Sequence, residues 1–98
     1  MHASLWRFRG DPDELPASYE AMLAAIPPEN MRLHLCLRAP DGIIVVDTCP
    51  SRNAFEGFVA GTMRELGGRH GLPDPERLED FPVHAVFVDG RRCDQQPS

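Results

Sequence analysis

A chain of 98 residues is one domain's worth of protein, and its 42% apolar content supplies a single core without metal or disulfide staples. Ten basic residues against fifteen acidic ones leave a formal charge of −5; phosphate-backbone binding needs a basic stripe, so no nucleic-acid partner is expected. All ten basic residues are arginine, and the absence of lysine excludes Schiff-base catalysis and a phosphate-loop lysine.

Cys36, Cys49 and Cys93 are odd in number and lack CxxC spacing, which predicts free thiols in a reducing, cytoplasmic setting. No stretch approaches the ~20 apolar residues of a membrane helix, and the N-terminal residues carry no apolar signal run, so no membrane contact is expected.

Residues 2–9 alternate with period two, with His2, Ser4, Trp6 and Phe8 on one side, which predicts a first strand closed by Gly10 and Asp11-Pro12. Asp11, Pro12 and Glu14 resemble a helix start. Leu15, Tyr19, Met22, Leu23 and Ile26 then recur at helical spacing until Pro27-Pro28 ends the helix. Arg32, His34, Cys36 and Arg38 alternate with Leu33, Leu35 and Leu37, the Ala39-Pro40-Asp41-Gly42 turn follows, and Ile43 to Cys49 is β-branched and apolar. This predicts a β-hairpin. Ser51 caps a second helix whose buried face is Ala54, Phe55, Phe58, Val59, Thr62, Met63 and Leu66, ended by Gly67, Gly68 and Gly71. Asp74 to Arg77 suggests a short helical turn, and 82–89 the last strand.

The predicted order is βαββαβ, the ferredoxin-like α+β unit with two helices on one face of a four-stranded antiparallel sheet. One domain is expected over 1–90, with a disordered polar tail over 91–98. The three leucines of the hairpin are expected against the helices. That assignment places Arg32, His34, Cys36, Arg38, Ile43, Val45, Asp47 and Cys49 on the open face, as the wall of a pocket.

The first strand His2-Ala3-Ser4-Leu5-Trp6-Arg7-Phe8, the junction Val46-Asp47-Thr48-Cys49-Pro50-Ser51 and the helix opening Arg52-Asn53-Ala54-Phe55-Glu56-Gly57-Phe58 together resemble the dimeric α+β barrel superfamily. That superfamily includes the antibiotic-biosynthesis monooxygenases. The resemblance spans roughly residues 2–89 and implies a homodimer with facing sheets and a cavity in each protomer. It also implies cofactor-free chemistry on an aromatic or polyketide-like molecule. Haem-degrading relatives carry an asparagine on the first strand and a tryptophan in the second helix; here Ser4, Trp6 and Phe58 occupy those regions, and His70 is out of step with a haem ligand.

His34 is the leading catalytic candidate, because an imidazole can serve as base or acid near neutrality. A four-residue turn sets Asp47 directly across from it, whereas a two-residue Asp41-Gly42 turn pairs Asp47 with Cys36. Trp6 and Phe8 can stack a flat ligand, Arg32 and Arg38 can hold an anion, and Cys36 borders the same wall. His2, His34, His84 and Asp47 show no metal-site spacing, and no metal is expected. Two functions follow: a cofactor-independent oxygenase, cyclase or isomerase using His34 as base with Asp47 orienting it, or a non-catalytic dimer that binds a small molecule or accompanies another protein.

Overall fold

The computed structural model describes residues 1–26 and 33–94. Four strands, β1 (His2–Arg9), β2 (His34–Ala39), β3 (Gly42–Cys49) and β4 (Arg77–Pro82), form one antiparallel sheet in the spatial order β2-β3-β1-β4. Helix α1 (Leu15–Leu23) and a continuous helix over 52–69, α2, complete an α+β domain compatible with a ferredoxin-like fold. Strands β5 (Phe87–Val88) and β6 (Arg91–Arg92) pair only with each other.

Period-two alternation makes β1 the spine. His2, Ser4, Trp6 and Phe8 are buried, and they stand opposite Cys49, Asp47, Val45 and Ile43 of β3. Opposed residues share a side of the sheet, and Trp6, Phe8, Ile43, Val45 and Cys49 join Leu15, Tyr19, Met22, Ile26, Phe55 and Leu72 in one core. Burying a side chain of the size of Phe8 or Ile43 contributes about 1.5–3 kcal/mol.

This register reverses the expected faces. Leu35 and Leu37 are 46% and 47% exposed, while His34, Cys36, Val45 and Asp47 face the helices. The leucines invited the opposite assignment because β3 is apolar on both sides, Ile44 and Val46 alternating with Ile43 and Val45. The choice is made by β1, whose two aromatic rings fit only the helix-covered side.

Gly42 fixes where β3 begins. It opposes Arg9, and a Cβ there would lie 1.9 Å from the Phe8 carbonyl oxygen, so only glycine permits the approach. The Gly10 N–H donates to the Asp41 carbonyl at 3.0 Å and closes the same corner.

Three expected boundaries move. Asp11 does not cap α1; its carboxylate accepts the Asp13 N–H at 2.8 Å in a turn, and the helix begins at Leu15 with no side-chain cap. Ser51 does cap α2, its Oγ accepting the Ala54 N–H at 3.1 Å, but from Phe55 to Met63 the helix widens to π geometry before returning to α at Arg64–Arg69. Gly57 and Gly61, which favour α least, lie inside the wide stretch; the side chains of Phe58 and Val59 lie outside the described residues.

The last sheet strand spans Arg77–Pro82 rather than 82–89. Leu78 stands opposite Trp6 and is part-buried against the core, which outweighs the weak strand propensity of Glu79 and Asp80. Asp89 and Gly90, with φ of 50° and 78°, then make the two-residue turn of the β5–β6 hairpin. Arg91–Arg92 is therefore a strand within the segment expected to be tail, and residues 95–98 lie outside the described part.

Candidate functional site

One polar row crosses the helix-covered face of the sheet: His34, Asp47, Ser4 and Asp80 are successive register partners on β2, β3, β1 and β4. Asp47 lies directly across from His34, in the register expected of a four-residue turn, although the strands close through the two-residue Pro40-Asp41 turn. The His34 Nδ1–H donates to Asp47 Oδ1 at 3.0 Å, with side chains only 8% and 9% exposed. A carboxylate only accepts, so a proton belongs on Nδ1, and in the neutral ring Nε2 is then the nitrogen with the free lone pair. Nε2 is buried and has no hydrogen-bond partner among the described residues. In a native interior such an atom stands out, because nearly all buried polar groups are paired.

The Tyr19 ring of α1 stacks on the His34 imidazole, with centroids 5.6 Å apart and planes at 17°. Burial, reinforced by the nearby Cys36, Glu20 and Asp47, holds the Tyr19 phenol well above its usual range, so its hydroxyl remains a donor at neutral pH. Burial likewise raises the thiols of Cys36 and Cys49. Thiolate is the reactive form, so both are poor nucleophiles.

At the far end of the row the His2 Nε2–H donates to Asp80 Oδ1 at 2.6 Å, and the His2 ring tilts against Phe55 at 5.8 Å. The Ser4 Oγ accepts the Trp6 indole N–H at 2.8 Å. Sequence reasoning missed Ser4 and Asp80. Ser4 shares the alternation of Trp6 and Phe8 and was findable; Asp80 was hidden by the misplaced last strand.

A cleft opens beside Asp47. Its floor is Trp6, Phe8 and Val45, its walls are Met22 of α1 and Met63, Arg64 and Gly67 of α2, and Pro73 and Pro75 form its lip. The space within its rim, open solvent included, is about 390 Å³, but the enclosed part is about 20 Å³, room for roughly one water. Trp6 and Phe8 stack on each other at 6.4 Å and 13°. Arg64 is the cation at the mouth: Arg52 and Arg69 are tied to Glu56 and Glu65, whereas Arg64 makes no ion pair among the described residues.

The expected site residues thus divide. Trp6, Phe8 and Asp47 line the cleft; His34 touches it through Asp47, and Cys36 is part-buried beside Tyr19. Arg38 is exposed opposite Ile43, away from the cleft lining, and Arg32 lies outside the described residues. His84 is exposed near the hairpin, its carbonyl accepting from Arg92 at 3.3 Å. Among the described residues no three His, Cys, Asp or Glu side chains come together in a group able to hold a metal ion, and no helix is long and apolar enough to cross a membrane.

Fold and site together define a class: an α+β domain whose helix-covered sheet holds a buried imidazole–carboxylate pair next to an apolar cleft. No protein-family model matches the chain, and no curated protein matches it.

Proposed function

We propose that this protein is a cofactor-independent enzyme of the dimeric α+β barrel type, acting on a flat aromatic or polyketide-like molecule by general-base catalysis. The observation that carries this reading is the buried Nε2 of His34, which has no hydrogen-bond partner among the described residues and whose ring is oriented by Asp47. Asp47 holds Nδ1–H; Nε2, which is buried and does not line the cleft as it stands, takes a proton from an acidic C–H or O–H of a substrate that widens the cleft to reach it, and the Asp47 charge stabilises the imidazolium that forms. Trp6 and Phe8 offer a stacked aromatic floor, and Arg64 takes the anion-holding role expected of Arg32 and Arg38.

In the oxygenase version, the deprotonated substrate carbon supplies the electrons to dioxygen. A CH₂ becomes a carbonyl, one oxygen atom is retained and the other leaves as water with the two hydrogens. In the cyclase or isomerase version, the same carbanion attacks or is reprotonated within the molecule. Oxygen uptake with hydroxylated anthrones, comparing the wild type with His34→Gln, tests the proposal. Uptake that needs His34 supports the oxygenase version. Product formed without uptake moves the chemistry to cyclisation or isomerisation, and turnover unaffected by His34→Gln overturns the general-base assignment.

The small enclosed volume favours a second reading, a binding or accessory protein without turnover, because a three-ring substrate enters only if the cleft widens. The wide turns of α2 beside it are the element suited to yield, π segments being common where helices border sites. A homodimer with facing sheets belongs to both readings. Leu5, Leu35, Leu37 and Phe81, all exposed on the face away from the helices, are the residues it would cover.

A further inference from the structure

The end of α2 is closed by a motif in which one glycine is required and another is not. Gly71, just past the helix, has φ of 91°. The Leu72 N–H turns back to the Gly67 carbonyl at 2.8 Å, and the Gly71 N–H reaches the Gly68 carbonyl at 3.4 Å. These are the two bonds of a Schellman cap, which an apolar contact between the positions of Leu72 and Gly67 frequently completes. Leu72 is buried in the core, but Gly67 has no side chain to meet it.

Lack of room does not explain that glycine. A Cβ at 67 would lie 3.4 Å from Leu72 Cβ and Cδ1 and 3.7 Å from Met22 Sδ, all ordinary van der Waals distances. Alanine would fit, would supply the contact to Leu72, and is the better helix former. The fold alone therefore favours alanine at 67. What glycine leaves open is a wall of the apolar cleft, which the buried Gly67 lines together with Met22. The enclosed part of the cleft is about 20 Å³, so a methyl group, about the size of one water, would take up most of it. Bare helix backbone also lets a ligand approach closely, and a thioether sulfur beside it favours the edge of an aromatic ring.

We infer that Gly67 is the specificity-determining residue of the cleft, admitting the edge of a fused aromatic ring between the α2 backbone and the Met22 sulfur. The inference rests on the cleft as the ligand site, as proposed above, and adds the residue that sets the size of ring it takes.

Titration of the wild type, Gly67→Ala and Gly68→Ala with 2-naphthol and with phenol tests it. The readout is the indole N–H resonance of Trp6, the single tryptophan of the chain and part of the cleft floor. Gly68 is the control: it is exposed in the same helix, and a Cβ there would meet nothing within 4 Å. Both substitutions should raise the melting temperature, by about 2–6 °C from helix propensity. Gly67→Ala should weaken 2-naphthol about 10-fold or more, the usual scale for one methylene in an apolar pocket, and phenol far less. Gly68→Ala should leave both affinities unchanged. A Gly67→Ala protein less stable than wild type beside a stabilised Gly68→Ala would show that the glycine serves the fold, and would overturn the inference. Unweakened binding of 2-naphthol by Gly67→Ala, or an equal loss for phenol, would overturn it too; these results leave the cleft and the role of His34 standing. No Trp6 shift in the wild type with either probe at millimolar concentration overturns the inference and the cleft together, while the assays of His34→Gln decide the base separately.

Discussion

Asp47 faces His34 across one rung of the sheet at 3.0 Å, and the other imidazole nitrogen is buried with no hydrogen-bond partner among the described residues. Two side chains that each are more than nine-tenths buried would be an expensive arrangement if they served packing alone. On the proposed reading, replacing His34 by Gln removes the base while keeping a hydrogen-bonding side chain. Turnover should fall about 10²–10⁴-fold, the usual contribution of a positioned base, with far-ultraviolet circular dichroism unchanged. Full activity in a folded His34→Gln protein would contradict the assignment.

The same pair carries a stability consequence. Breaking a buried pair from one side leaves the other group stranded, at a cost of about 3–5 kcal/mol. His34→Ala should therefore destabilise the domain by about that amount in urea, whereas His34→Leu/Asp47→Leu should be less destabilising than the single change. Denaturation midpoints of the two variants decide it.

The thiols make a chemical prediction. Burial raises Cys36 and Cys49, while Cys93 is exposed. Iodoacetamide at pH 7.5 should label Cys93 alone in the native protein and all three after denaturation, as read by mass spectrometry. Rapid native labelling of Cys36 would mean that the Tyr19–His34 side of the core is open.

Asp94 gives a pH signature to the hairpin. Its bonds to Arg92 and to the Val86 amide hold the carboxyl down to about 2. The sign follows: a depressed carboxylate contributes its stabilisation fully above its unfolded value of about 4 and loses it as pH falls through the folded value. The Val86 amide resonance should hold steady from pH 7 to 4 and shift with a midpoint near 2. A midpoint at the ordinary carboxylate value would show that the cap does not form in solution.

Much of this architecture was legible in the sequence for physical reasons. Period-two alternation in β1, the Pro-Asp-Gly turn and the Ser51 cap are local signals, and each marks an element the structure contains. The His34–Asp47 rung was one of two pairings left open by the sequence, and the position of the turn at Pro40-Asp41 selects it. Facing was harder, because Leu35 and Leu37 look like core residues, and only the long-range pairing of Trp6 with Val45 turns them outward. β4 was missed for a related reason: Glu79 and Asp80 are poor strand formers, held in place by pairing to Leu5 and Ser4 rather than by propensity. Arg64 could not be nominated from sequence, since nothing local brings a helix cation to the mouth of a cleft floored by β1 and β3.

The central claim is that His34 presents a free Nε2 lone pair while Asp47 holds the proton on Nδ1. Long-range nitrogen–proton correlation spectra of imidazole-labelled protein at pH 7.5 and above report this directly and need no substrate. The account predicts that the His34 ring is the Nδ1–H tautomer, with Nε2 unprotonated, and that Asp47→Asn shifts its tautomer balance. An Nε2–H tautomer in the wild type would contradict it, because that nitrogen would then be a donor with no lone pair left to take a proton.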